Sequence, residues 1–590
     1  MCGIIGLNQR LGSGSFNKAA ERFAYRGPDA YGFAEEDEVT LGHHRLSIID
    51  LDPRSHQPMV SNSSKTSIIF NGEIYNFKDI KAKLASTYEF RTTSDTEVLL
   101  AAYEAYGTNL TRELRGMYAF AIHDRVNHKF VLFRDPQGIK PLYYAQIGKH
   151  FCFASEAKGV AELLKQLGHL ATLNEQAWDL FWTFGYVPSP LTLHQSIFKL
   201  ERGHVLTFDL RTQQLEISRA PEHPEAEPLI SDNNFADLTE QVILDHLISD
   251  APVGVYFSGG TDSSLIAAVL HKHGIDLSTF SLVMEGNEVD GDYLRAIRKH
   301  LGMKGHIFEF SDQELSEALE IIKERIDEPT SDSSIFPTLF LSQQAAKDVK
   351  VVLSGEGGDE LFYGYHRQLG LANLKTSKAT VHPTLLDRAR LLSTSATWQK
   401  FLAKAYLAAQ DGNGFYLSQM SLLREQTPAR LWQLGRERLA SLRCNPALID
   451  REIALENDLL RKIDLATSYA SIEGRVPLLD PRLIRYAERI SGNHLKNNIL
   501  KHELKRLLKT YLPSNLVDRP KAGFGVRGSF IKKHTGFKQA AHEAWDFLQK
   551  SQSFTPEIKG AISNRLSDPS IATALITLQS SLRELGINHE

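Results

Sequence analysis

The chain has 590 residues, an ordinary apolar content of 42% and a formal net charge of −4. That length exceeds a single hydrophobic core, so two or more domains are expected. The balanced charge gives no sign of a nucleic-acid or membrane-surface partner, and no apolar run approaches the roughly 20 residues that a membrane span needs. Cys2, Cys152 and Cys444 are too scattered for a disulfide framework or a zinc site. With no basic, cleavable amino-terminal segment in the sequence, a cytoplasmic protein is expected.

In chain order, Met1-Cys2-Gly3-Ile4 comes first. Loss of Met1 would put a thiol and a free α-amine on one residue. That amine, with a pKa of roughly 8, is able to take the thiol proton. Arg26-Gly-Pro-Asp29 reads as a turn with a charge pair, and Gly42-His-His-Arg45-Leu-Ser-Ile-Ile-Asp50 as a small residue leading into a strand. Arg45 offers a planar fork for a carboxylate. Ile68-Ile-Phe-Asn71-Gly72-Glu73 is a strand ending in Asn-Gly. This is either a hairpin turn or an oxyanion hole built from the Asn71 amide and the Gly72 N–H. Ser94-Asp95-Thr-Glu97 opens a helix, and its acidic groups are either caps or a site for a substrate ammonium.

In that order, these segments resemble the class II glutamine amidotransferase domain, an amino-terminal-nucleophile glutaminase. Phe133-Arg-Asp-Pro-Gln-Gly-Ile-Lys140 and Phe153-Ala-Ser-Glu156-Ala-Lys158 continue the likeness across most of residues 1–205. The resemblance implies an α+β fold, an αββα sandwich of two antiparallel sheets. It makes Cys2 the nucleophile and Asn71 and Gly72 the oxyanion hole. Glutamine would be bound by Arg45 at its α-carboxylate and by Glu73 and Asp95 near its α-amine, with Asn71 alongside.

Residues 206–232, with Pro221, Pro224 and Pro228 among acidic side chains, read as a linker. A helix over 235–247 then leads into Val253-Gly-Val-Tyr-Phe-Ser258-Gly259-Gly260-Thr-Asp262-Ser263-Ser264, which reads as strand, tight turn and helix. Two glycines let backbone approach a ligand, and hydroxyls join the unpaired N–H groups of the helix start. The result is a phosphate cradle, without the lysine of a P-loop. Asp262 beside phosphate makes sense with Mg²⁺ between them.

Residues 277–284 form the next strand, where Leu282 and its neighbours meet an adenine through backbone groups while the side chain is core. Asp327-Glu-Pro precedes Ser331-Asp-Ser-Ser334 and a helix near Pro337. Lys350-Val-Val-Leu-Ser354-Gly355-Glu356-Gly-Gly-Asp359-Glu360 is a strand running into an acidic, glycine-rich turn. Its carboxylates require an opposing cation, so Asp262 and Asp359 are expected to approach one Mg²⁺ from two strand ends.

The Ser-Gly-Gly-x-Asp-Ser-Ser string resembles the pyrophosphate loop of ATP pyrophosphatases. Together with Leu353–Glu360, Arg475-Val-Pro, Asp480 and Arg519-Pro-Lys521-Ala-Gly-Phe524, it resembles the synthetase domain of the glutamine-hydrolysing asparagine synthetases. The resemblance implies an α/β parallel-sheet domain over 233–535. Residues 370–450 and the extension over 536–590 show little likeness to the family and read as helical from their spaced leucines and alanines. The resemblance also implies ATP as substrate, bound by Ser258, Gly259, Gly260, Asp262, Ser263, Ser264, Leu282, Ser354 and Gly355. Glu356 and Lys521 would be catalytic, and glutamine and aspartate would be the other small-molecule substrates.

Oligomeric state is left open, a homodimer being one option. Leu465, Arg527 and Phe530 depart from the family's usual arginine, proline and tryptophan. These departures bear on the acceptor, so an amidotransferase acting on another carboxylate, of a sugar or peptide precursor, is the alternative. A non-catalytic binding protein is the distant rival, opposed by intact Cys2, Asp262 and Asp359.

Overall fold

A computed structural model describes residues 1–588 except 37–38, 222–233, 285–287, 370–411, 443–445, 491–498 and 519–533. Lys521, Arg527, Phe530, Cys444 and the prolines at 224 and 228 therefore lie outside the described residues.

The amino-terminal half is a four-layer sandwich. One antiparallel sheet has the order β10-β8-β9-β1-β3-β2. It is built from β1 (Gly3–Leu7), β2 (Ala30–Glu36), β3 (Val39–Arg45), β8 (Tyr143–Ile147), β9 (His150–Ala154) and β10 (Phe198–Lys199). The second has the order β12-β11-β7-β6-β5-β4. Its strands are β4 (Met59–Val60), β5 (Thr66–Ile74), β6 (Gly116–Asp124), β7 (Lys129–Arg134), β11 (His204–Asp209) and β12 (Leu215–Arg219). Alternation along β7 shows how the layers form. Phe130 and Leu132 join Ile4, Leu41, Phe151 and Phe208 between the sheets. Val131 and Phe133 face the opposite way, onto the helices Phe77–Leu84 and Asp95–Tyr106. Both faces of the strand are covered, so it reads as a continuous apolar run.

Three expectations need correction. β3 ends at Arg45 rather than beginning near it, because register with β1 pairs Gly3 with His44. Asn71-Gly72 is not a hairpin turn: β5 runs through it, paired with Ala119 and Tyr118. The expected linker starts too early, since β11 and β12 over 204–219 belong to the second sheet, with β12 at its edge. The mostly exposed residues of β12 give that stretch the look of a loop.

The second half is built on a parallel sheet of order β15-β14-β13-β16-β17. The strands are β13 (Val253–Tyr256), β14 (Ser278–Met284), β15 (Gly305–Phe310), β16 (Val351–Leu353) and β17 (Glu473–Arg475). The chain enters at the middle strand, moves outward to β15, then returns to the other side of β13. That reversal between β13 and β16 is the topological switch point, where the loops after adjacent strands diverge and leave a crevice for ligand. The helices Thr535–Leu548, Pro556–Ser563 and Pro569–Glu584 bear out the helical character expected of the carboxyl-terminal region. They are no appendage. Leu575 and Phe554 belong to the same buried core as Trp178, Trp182 and Phe16 of the first half, and Arg22 donates to Glu584 at 3.0 Å.

Candidate functional site

Two sites lie at opposite ends of the short parallel strands. At the first, Cys2 immediately precedes β1, and strand alternation puts it on the inter-sheet side of Ile4. On β5, Asn71 and Glu73 share the face of Ile69, which also points between the sheets. The β1–β3 register carried one step back sets Cys2 opposite Arg45. The Leu46 N–H donates to Cys2 Sγ at 3.4 Å, and burial pushes the thiol pKa up. With Met1 in place, its own buried amine is pushed down to about 5, and it approaches the Ile472 carbonyl at 3.4 Å.

The Asn71 side chain is fully buried, and neither its oxygen nor its nitrogen has a partner among the described residues. A buried amide left without a partner costs free energy, so its persistence calls for an explanation such as a bound substrate. Gly72 has no room for a side chain: a Cβ would lie 2.1 Å from the Met117 carbonyl. Arg45 donates to the carbonyls of Asp52 (3.0 Å), Asp50 (2.5 Å) and Ile49 (3.4 Å), which fixes its fork. Its charge acts on Cys2 and on Asp95. Ser94 caps the helix by accepting from the Thr96 N–H, which frees Asp95 from that duty. Asp95 Oδ2 accepts from the Ile74 N–H at 3.2 Å, and burial raises its carboxyl to about 6.

Glu73 has a distant partner that no local motif suggests. Its Oε2 accepts from Arg475 Nη2 at 2.8 Å. Arg475 also donates to Glu473 (2.9 Å) and to the carbonyls of His246 (2.8 Å) and Ile248 (2.6 Å). Arg26 likewise does not pair with Asp29, as its turn motif suggests. It reaches across to Asp464 in a two-pronged pair at 3.0 Å each and to Glu156 at 3.0 Å, while its Nε holds the Cys2 carbonyl at 3.0 Å. Asp29 accepts instead from Lys350 at 2.6 Å. The pairs Glu73–Arg475, Arg26–Asp464 and Asp29–Lys350 lie 402, 438 and 321 residues apart, beyond the reach of any local pattern.

At the second site, β13 delivers Ser258-Gly259-Gly260 to the start of the helix Thr261–Lys272. Gly259 sits at φ +68, a left-handed conformation that favours glycine. Ser258 and Ser263 hydroxyls lie 3.1 Å apart and pin the turn, whereas the buried Ser264 hydroxyl has no partner among the described residues. From the neighbouring strand β16, Ser354 donates to Glu356. Glycines bring this second loop onto the first: a Cβ on Gly355 would fall 2.9 Å from Asp262 Cβ, and one on Gly358 2.6 Å from its Cγ. Leu282 is a buried core side chain of β14.

Asp262 and Asp359 are brought together as expected. Between them, however, stands the ammonium of Lys501, which donates to Asp262 and lies 2.8 Å from Asp359. Among the described residues, no group of three or more His, Cys, Asp or Glu side chains is arranged to hold a metal.

The two sites share scaffolding. Val351, the first residue of β16, packs with Leu46, Ile48 and Cys2 of the first site; three residues on, Ser354 opens the second. That is about 10 Å of strand. Arg475 joins them directly, its side chain on Glu73 and its carbonyl accepting from the Ser354 N–H at 2.8 Å.

A glutaminase-type sandwich joined to a phosphate-loop sheet defines a two-site amidotransferase architecture. The comparisons agree with it. Residues 1–218 match the glutamine amidotransferase domain model, and residues 234–575 match the asparagine synthase model. The second match runs to residue 575 and so takes in much of the helical extension beyond 535.

Asparagine synthetase (glutamine-hydrolysing) 1 of Bacillus subtilis is 30% identical over 559 residues, covering 89% of this chain and 87% of its own. Number 3 of the same organism is 29% identical over 558 residues, with 89% and 87% coverage. Number 2 of Arabidopsis thaliana is 31% identical over 385 residues, with 62% and 61% coverage. The chain belongs to the glutamine-hydrolysing asparagine synthetase family. No helix among the described residues is long and apolar enough to cross a membrane.

Proposed function

We propose that the chain makes asparagine from aspartate, ATP and glutamine, with the two half-reactions divided between the two sites. The observation that carries this reading is the buried, partnerless Asn71 amide on the face shared with Cys2, set at the far end of the strands that carry the phosphate loop. Cys2, freed of Met1, loses its thiol proton to its own α-amine and attacks the glutamine side-chain carbonyl. The Asn71 amide and the Gly72 N–H stabilise the oxyanion. Arg45 holds the α-carboxylate, and Glu73 and Asp95 hold the α-ammonium. Ammonia leaves, and water releases glutamate from the thioester.

At the second site, the aspartate β-carboxylate attacks the α-phosphorus of ATP and pyrophosphate departs. A carboxylate is a poor electrophile until this step. Ammonia then adds to the adenylated carbon, gives up a proton to Glu356, and AMP leaves. The Ser258–Ser264 turn and Ser354-Gly355 hold phosphate, the backbone at Leu282 meets adenine, and Lys521 offsets charge on the phosphates. Ammonia moves within the protein, since in water it becomes ammonium and loses its nucleophilic lone pair.

The family implies Mg²⁺. Asp262 and Asp359, close enough to share one ammonium, fit a cation held by one or two carboxylates together with substrate phosphates. Bound there, it would screen the charge of the triphosphate.

The test supplies glutamine, ATP, Mg²⁺ and aspartate and identifies products by mass spectrometry. Asparagine, AMP and pyrophosphate in equal amounts are expected. Cys2→Ala loses glutamine use but keeps synthesis from ammonium salts; loss of both in folded protein would refute the division of labour. Asp262→Asn loses synthesis and keeps glutamine hydrolysis.

A further inference from the structure

Lys501 stands in a lysine-rich stretch with Lys496, Lys505 and Lys509, outside the motifs read from the sequence, and a lysine in such a place is ordinarily solvated. Here it is buried at the start of the helix His502–Leu508, which packs against the phosphate-loop helix. Its backbone is left-handed, φ 54 and ψ 37, an uncommon conformation for a residue with a side chain. Its N–H reaches the Tyr363 carbonyl at 3.3 Å. Strained backbone of this kind persists where the surroundings over-determine it, and it gathers at functional positions. The strain aims the ammonium between Asp262 and Asp359, one from each loop at the switch point. A Cβ on Gly364 would strike both the Asp359 carboxylate and Lys501 Cε, so a glycine is what lets the three groups close up.

We propose that Lys501 is a resident counter-ion for the carboxylate pair, that it keeps divalent metal off the site until nucleotide arrives, and that the metal–nucleotide complex displaces it. This rests on reading Asp262 and Asp359 as the metal pair. Two carboxylates from converging loops repel in a poorly solvated crevice. The lysine neutralises that repulsion without a metal and holds the two loops in register. A bare divalent cation has to expel an ammonium that is already paired. A cation arriving with a triphosphate brings anionic oxygens to receive the displaced ammonium, so the exchange leaves no buried charge unpaired. Lys501 is thus a positioning residue that ties metal entry to nucleotide entry.

Mn²⁺ titrated into the full chain without nucleotide, with free ion followed by electron paramagnetic resonance, tests this. Lys501→Met is expected to bind one Mn²⁺ at least tenfold more tightly than wild type, and adding Asp359→Asn to that variant removes the gain. The melting temperature of Lys501→Met rises with Mg²⁺ alone, and that of wild type does not. Equal Mn²⁺ affinity in wild type and Lys501→Met overturns the proposal, as does an undiminished gain in the double variant. If Lys501→Met does not fold, Lys501→Gln enters the same comparison with the same criteria. These measurements involve no turnover. Failure of the functional reading shows instead as absent ATP–pyrophosphate exchange with aspartate in wild type.

Discussion

Arg475→Met is the sharpest test of how the two halves are held together. The arginine side chain is fully buried, and its guanidinium satisfies two carboxylates, Glu73 and Glu473, and two main-chain carbonyls. Methionine fills similar volume and supplies no donor. Removing one partner of a buried ion pair costs about 3–5 kcal/mol, because the other charge stays behind unpaired. That is a large share of the roughly 5–15 kcal/mol that stabilises a typical domain.

The geometry also predicts how the loss is divided. Glu73→Gln removes the negative charge that Arg475→Met leaves stranded, so the double variant is less destabilised than the sum of the singles. A coupling of about 1.5 kcal/mol or more is expected for a close, desolvated charge pair. Urea unfolding of wild type, both singles and the double supplies the cycle, with the glutamine KM of each as a second readout. Since Glu73 is placed by Arg475, KM should rise in Arg475→Met even at temperatures where the protein remains folded. Free energies that add to within about 0.5 kcal/mol, the scatter of independent sites, would refute the reasoning.

Other predictions rest on single features. Asn71→Ala should lower glutaminase kcat by about 10²–10³-fold, the usual cost of one oxyanion donor, without lowering the melting temperature as loss of a bonded polar group does, since its amide has no partner to strand. The kcat/KM for glutamine should fall as pH drops through about 6, because protonation of Asp95 removes the anion facing the substrate ammonium. In Asp95→Asn that acid limb disappears from a lower plateau. Gly355→Ala should abolish ATP–pyrophosphate exchange and spare glutamine hydrolysis, because its methyl group drives Asp262 away from the second loop.

What could be read from the sequence is what lies close together along the chain. The phosphate turn is legible because strand, glycines, hydroxyls and helix start follow one another within twelve residues of Val253–Ser264, and the physics of the cradle is local. Cys2, Asn71 and Asp95 are legible as a set because each motif has its own residue pattern. The pairing of Asp262 with Asp359 follows from charge: two acidic loops at adjacent strand ends need a cation. Its identity as Lys501 does not follow, because a lysine's burial depends on a helix docking some 240 positions away. Arg26 to Asp464 and Glu73 to Arg475 fail for the same reason. Each carries a charge whose sequence neighbours offer a plausible partner, and the tertiary fold supplies a better one. The edge strand β12 is missed for a different reason: it shows little apolar alternation because its residues are largely exposed.

The burial of Met1 ties the amino terminus to the carboxyl-terminal half. Its side chain is 1% exposed, and its amine lies against the carbonyl of Ile472, in the half synthesised last. Trimming of Met1 in the folded chain would require the Ile472 segment to move first, so trimming before the two halves dock is the expected order. A chain that keeps Met1 has its Cys2 α-amine tied up in a peptide bond, and intact-mass analysis alongside glutamate release should find it without glutaminase activity.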